Sequence, residues 1–143
     1  MAVEIRPPDM DAVTQAIRRY GQEAANKLAR DVTATALSVD RDIKQRIQRG
    51  PKSGFVYNSR GKQHQASAPG EAPATDTGTL VSSISFSQLS KLSAEVVSRL
   101  PYAYFLEFGT MNISPRPAWT PAAEKGQTEL TRRIEKTLSE LSK

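Results

Sequence analysis

An apolar stripe with steps of three or four residues runs through the first third of the chain, and no proline interrupts it. This period places the apolar side chains on one face of a helix, which Asp9 or Asp11 can cap and Gly50-Pro51 ends. One helix of this extent would be roughly 50–60 Å long, more than a domain of this size covers. Either it breaks at Gly21, or part of the stripe faces another chain. The stripe comprises Val13, Ile17, Tyr20, Ala24, Leu28, Val32, Ala36, Val39, Ile43 and Ile47.

Residues 50–79 are dense in Gly, Pro, Ser and Asn, a composition typical of turns and loops. Within them, residues 54–57 and 62–67 are predicted strands joined by the turn NSRG, which indicates a hairpin with basic residues near its tip. The Pro/Gly-rich remainder is predicted to be irregular. Asp76 or Thr77 can cap a short helical turn that follows.

The second half of the chain predicts a hairpin and then a helix. Residues 83–88 and 94–100 alternate apolar and polar side chains, as half-buried antiparallel strands do. Thr120 as N-cap and Pro121 at the first helical position favour a C-terminal amphipathic helix. The expected fold class is α+β: a long N-terminal helix, a small antiparallel sheet with a long hairpin and loop insertion, and a C-terminal helix. We expect residues 1–143 to form a single domain.

The sequence carries no recognisable catalytic chemistry. Cysteine is absent and His64 is the single histidine, so thiolate and histidine-rich metal sites are excluded. No GxSxG, Gly-rich phosphate loop or HExxH motif occurs. We therefore expect a protein that is not an enzyme, with no cofactor and no metal. The chain also lacks a run of about 20 apolar residues and a secretory signal pattern, which favours a soluble protein without membrane contact.

Positive charge is concentrated in residues 41–62, where seven basic residues face one acid, giving +6 in a chain whose formal net charge is +5. Such a segment can meet DNA phosphates or an acidic partner. The alternative is a solvated helix end, where cations also suit the negative end of the helix dipole. The candidate contacts are Arg46, Arg49, Lys52, Arg60 and Lys62.

Residues 101–110, PYAYFLEFGT, place four aromatic residues around one acid, Glu107. Their spacing favours a short helix or turn, in which some rings enter the core and others face outward. Gly109 permits the backbone to reverse after Phe108. Glu107 is expected to accept hydrogen bonds or to pair with Arg116, a charge-assisted contact.

Two segments, in this order, resemble a known family. The first is ASAPGEAPA at residues 66–74, followed by DTGTL and by Ser83-Ile84; the second is YAYFLEFGT at residues 102–110, followed by PRPAW and PA. The pair is similar to the small tail-component family of long-tailed bacteriophages, whose members are neck or tail-completion proteins.

The resemblance implies a structural role in the virion. Subunits of this family are expected to form a ring, in our interpretation a hexamer, at the head-proximal end of the tail. The ring would join the tail tube to the head connector during assembly in the host bacterial cytoplasm, and DNA would pass through its lumen. The alternatives are a tail terminator or a head-completion (stopper) ring of the same neck, or a basic nucleic-acid-binding module.

Ring subunits need two different lateral faces, because head-to-tail contacts close a ring. Aromatic residues and arginine are enriched at the centres of protein interfaces. The predicted interface residues come from three places: the aromatic run, the segment that follows it, and the sequence Pro69-Gly70-Glu71, which we call the PGE loop. They are Tyr102, Tyr104, Phe105, Glu107, Phe108, Arg116, Trp119, Pro69 and Glu71.

Overall fold

A computed structural model describes residues 1–75 and 78–143 and confirms the α+β class. The predicted caps Asp76 and Thr77 lie outside the described residues. The helices and strands follow one another in the order β1 (Ala2–Ile5), α1 (Met10–Tyr20), α2 (Gln22–Arg49), β2 (Val56–Ser59), β3 (Lys62–Gln65), α3 (Thr79–Ser83), β4 (Ile84–Ser90), β5 (Ser93–Ser98), α4 (Pro101–Phe108) and α5 (Trp119–Leu141).

The N-terminal apolar stripe forms two helices, not one. Gly21 has φ +76° and separates α1 from α2, and the Asp9 side chain caps α1 by accepting from Ala12 N. Of the two outcomes that the stripe left open, the structure shows the break at Gly21. The stripe of α2, from Ala24 to Ile47, is buried within the subunit.

A three-stranded antiparallel sheet in the order β1-β5-β4 packs one face against the helices. The register pairs Ile84 with Ser98 and Phe86 with Val96, which confirms the predicted hairpin. The edge strand β1 was not predicted as a strand: only an extended conformation follows from the prolines after it. It pairs with β5 from Ala2–Val97 to Ile5–Ala94.

The two long helices pack closely where α5 carries a glycine. A Cβ built on Gly126 would overlap Val39 Cγ2 of α2, so no larger residue fits without displacement. The close approach lets α5 pack against the buried stripe of α2. Gly126 therefore has a packing role that outweighs its weak helix propensity.

Strands β2 and β3 form a separate two-stranded ladder, which we call the arm (residues 54–65). Arg60 and Gly61 both have positive φ, at 51° and 79°, as a two-residue type I′ turn requires. The arm continues toward its base through hydrogen bonds that join Gly54 N to Ala66 O and Ala66 N to Phe55 O. The predicted hairpin is confirmed.

Candidate assembly interface

Helix α4 is the short helix expected from the aromatic run. Pro101 occupies its first turn, where a missing N–H costs nothing, and Gly109 ends it at φ +77°. Ala103 and Glu107, four residues apart, point into the subunit. The opposite side is the α4 aromatic face, formed by Tyr102, Tyr104, Phe105 and Phe108, whose exposures range from 43% to 54%.

The buried carboxylate of Glu107 caps helix α5. It is 3% exposed, and its Oε2 accepts from Ala118 N at 2.8 Å and Trp119 N at 3.0 Å, while Oε1 accepts from Thr120 N at 2.6 Å. These three N–H groups begin the helix and have no intrahelical partner. A carboxylate at this end also suits the positive pole of the helix dipole. Glu107 therefore fixes the start of α5 to α4.

This arrangement corrects the expected start of α5 and decides between the two alternatives for Glu107, which accepts hydrogen bonds. Helix α5 starts at Trp119, not after Thr120, and no side chain of its own N-cap residue, Ala118, caps it. The Arg116 guanidinium does not pair with Glu107; it donates to Ser67 O at 3.3 Å and to Ser114 O at 3.3 Å. The carboxylate is saturated by backbone N–H groups, and the arginine instead holds the segment that follows β3.

Glu71 organises the PGE loop in a similar way. Its carboxylate accepts from Ser53 N at 2.9 Å, Ser53 Oγ at 2.5 Å and Ala68 N at 2.8 Å. These hydrogen bonds, of which the one from the Ser53 hydroxyl is the largest cause, hold the pKa of Glu71 below its usual value. Glu71 thus ties the two chain segments at the base of the arm, beside the exposed Pro69.

Hydrogen bonds also connect the base of the arm to the segment that follows α4. Gly70 N donates to Pro115 O at 2.9 Å, and Arg116 N donates to Leu106 O at 2.6 Å. With the Arg116–Ser67 contact, they join the two sequence motifs that resemble the phage family, residues 66–74 and the segment that begins at residue 102. The arm base, the end of α4 and the start of α5 are therefore held together by directional contacts.

The structure sorts the predicted interface residues by accessibility. Trp119 is 1% exposed and lies in the hydrophobic core, and Glu107 is buried, so neither side chain is presented to a neighbour. The α4 aromatic face and Pro69 are exposed, and Glu71 and Arg116 are partly so.

The predicted basic contacts do not form one uniform patch. Arg46 Nε pairs with Asp42 at 3.1 Å. Lys52 Nζ donates to Arg46 O and to Ala72 O, both at 3.2 Å, so it caps the C-terminus of α2, and burial lowers its pKa. Arg49 is exposed at the end of α2, and Arg60 and Lys62 are exposed at the tip of the arm. The capping role of Lys52 was missed, although a lysine just after a helix stop is a recognisable signal for it.

A cleft of about 390 Å³ lies between the end of α2 and the first turn of α5, with Arg46, Glu71 and Glu124 in its walls. Arg46 is ion-paired and the Glu71 carboxylate is occupied by three donors, so no nucleophile and base are brought together there. Within residues 1–75 and 78–143, no three His, Cys, Asp or Glu side chains group as a metal site needs. Across the same residues, no helix combines the length and the apolar character that crossing a bilayer requires.

Comparison with known proteins gives one family match. The family described as "Bacteriophage HK97-gp10, putative tail-component" matches residues 11–109, from the first turn of α1 to the glycine that ends α4. The match includes the PGE loop and Glu107 but stops before residues 115–122. No curated protein and no solved structure matches the chain.

Proposed function

Because the chain belongs to the HK97-gp10-like family of bacteriophage tail components, we propose that it is a structural virion protein of the neck. In this proposal, copies form a homo-oligomeric ring, a hexamer, at the head-proximal end of the tail. The ring joins the tail tube to the head connector and is assembled in the host bacterial cytoplasm. The protein acts through these contacts and catalyses no reaction.

The observation that carries the proposal is the α4 aromatic face. Four rings stay about half exposed on a subunit whose core is otherwise closed, with Tyr104 packed against Phe105 and Phe108 at centroid distances of 6.0 and 4.8 Å. Contiguous exposed aromatic surface on a small soluble chain marks an interaction site. We assign this face to contacts with another copy or a neck partner, with Arg116, Pro69 and Glu71 at its margin.

The experiment compares the purified chain alone and with isolated tails of the phage that encodes it, by light scattering. We expect species larger than a monomer, and we expect Phe105→Ser to reduce them while Leu37→Ser, on α2, does not. Only monomer in both preparations would overturn the proposal. Electron microscopy of particles made without the protein separates the alternatives: separate filled heads and finished tails support joining, whereas tails of irregular length support a terminator and empty heads support a stopper.

The arm tip favours one additional role, non-specific DNA contact in the ring lumen. Arg60 and Lys62 are the exposed cations of the tip, one on each side of Gly61. DNA retention by the assembled protein should fall steeply with salt, and Arg60→Glu with Lys62→Glu should weaken it. Arg46→Glu serves as the control, because that guanidinium is already ion-paired. Unchanged retention in the arm-tip variant contradicts this role.

A further inference from the structure

The arm carries a second uncovered apolar surface. Phe55, directly before β2, is 89% exposed, and Tyr57 within β2 is 42% exposed. The ring of Tyr57 is 6.0 Å from that of His64 on β3, so the aromatic surface extends across both strands. The arm therefore presents an exposed aromatic surface that a partner could cover.

Among the described residues, polar contacts at its base join the arm to the rest of the subunit. Its two strands contact each other more than any other described element, and their residues are mostly exposed. Two-stranded hairpins are marginal in water without a surface to pack against. The contacts that hold the base come from Glu71 and Arg116, and both are polar. Beyond the base, no described helix or strand packs extensively against β2 or β3.

We infer that the arm of one copy docks on the α4 aromatic face of the next copy, an inference that rests on the proposed ring. The base of the arm and the end of α4 are tied together by the hydrogen bonds of Gly70 and Arg116. The base of the arm therefore keeps one position relative to the α4 aromatic face on each subunit. A head-to-tail contact between them repeats with a constant rotation, which is the condition for closing a ring.

The exposed area of the two surfaces fits an interface of ordinary size. The exposed fractions of Phe55, Tyr57 and the α4 aromatic face, at about 200 Å² for each whole ring, correspond to about 650 Å² of apolar surface. Specific interfaces bury at least about 1,200 Å² in total, of which somewhat more than half is apolar. The rings alone therefore supply about the apolar part of such a contact.

A symmetric contact between two α4 faces explains less. It would stop at a dimer, since an isologous contact uses the same patch on both copies. It would also leave Phe55 in water. The head-to-tail contact covers both surfaces. It also leaves one free surface at each end of a row of associated copies, so that a further copy can bind there.

The experiment uses two single variants of the full chain, Phe55→Ser on the arm and Phe105→Ser on the α4 aromatic face. Both side chains are exposed, so each variant should keep the thermal unfolding curve of the wild type. Each alone should weaken self-association about 30-fold or more, the effect of removing an aromatic hot spot. The control is Leu37→Ser, an exposed apolar residue of α2, which should associate as the wild type does.

The decisive measurement is the mixture of the two variants, followed by sedimentation velocity. The intact arm of the Phe105→Ser chain can dock on the intact α4 of the Phe55→Ser chain, so the mixture should form dimers and no larger species. A mixture that stays monomeric while the wild type assembles overturns this inference alone. Variants that assemble as well as the wild type also overturn it. A wild-type chain that stays monomeric, with and without isolated tails, overturns the proposed ring as well.

Discussion

Removing the Glu107 carboxylate tests the most specific contact in the fold. Glu107→Ala leaves the N–H groups of Ala118, Trp119 and Thr120 without their acceptor. The first two residues are buried, whereas Thr120 is exposed and its N–H can be rehydrated. Glu107→Gln keeps one oxygen: placed at the Oε2 position it still serves two donors, but its amide group then faces the N–H of Thr120.

The size of the effect follows from these contacts. Each buried N–H left unpaired costs about 1–3 kcal/mol, and losing a negative charge at the helix N-terminus costs up to about 2 kcal/mol. Because the contributions overlap, we expect Glu107→Ala to lower the free energy of unfolding by about 3–5 kcal/mol and the melting temperature by about 10–20 °C. Glu107→Gln should cost about 2 kcal/mol, since two of three acceptor contacts survive.

Urea unfolding followed by fluorescence measures this directly, because Trp119 is the single tryptophan and lies buried at the capped helix start. The midpoint should fall at an unchanged denaturant slope. Two controls bound the result. Glu135→Ala removes an exposed carboxylate from α5, and Thr120→Ala removes the hydroxyl that sequence patterns select as the cap. Both should stay within about 0.5 kcal/mol of the wild type.

A Glu107→Ala variant within about 1 kcal/mol of the wild type would refute the capping argument. If that variant kept its stability and lost only self-association, the earlier expectation of Glu107 as an interface residue would be restored. A large effect of Thr120→Ala would place the cap in the helix itself, contrary to the hydrogen bonds of Glu107.

Further predictions concern packing and pH. Gly126→Ala should destabilise the fold by about 1–3 kcal/mol, because its Cβ would meet Val39; thermal melts of a double-mutant cycle with Val39→Ala should show a double variant less affected than the sum of the singles. The lowered pKa of Glu71 contributes stability that is complete above pH 4.5 and is lost as pH falls through the folded-state pKa, so Glu71→Gln should flatten the acid limb of a stability–pH profile. Burial raises the pKa of Asp31 above 3.8, so its contribution has the opposite sign: it is full below pH 3.8 and lost as pH rises through the folded-state pKa, and Asp31→Asn should remove that decline.

Elements set by local patterns were predictable from the sequence. The stripe of α2, the alternation in β4 and β5, and the Arg60-Gly61 turn each depend on residues close together in the chain, so their periods and turn residues suffice. The break at Gly21 was one of two outcomes that the stripe left open. The positive φ of Gly21 shows that the break is the outcome that holds.

Contacts between distant residues were not predictable in the same way. β1 spans four residues, too few to show a period, and it becomes a strand only by pairing with β5. The cap of α5 comes from an acid more than ten positions earlier, in another helix. Local preferences therefore selected Thr120 as the cap, and opposite charge made Arg116 one of the two expected types of partner for Glu107. The buried N–H groups at the start of α5 need an acceptor, and this need determined the partner of Glu107 more strongly than the charge of Arg116 did.

The closed interior of the subunit has a consequence for the order of events in making a particle. Because α5, the sheet and α1 cover the stripe of α2, the core of a newly made copy needs no neighbour to become native. In the proposed assembly, such copies can accumulate with a complete core and join later, and each arm is stabilised when it docks. The timing of attachment then depends on when a docking surface becomes accessible.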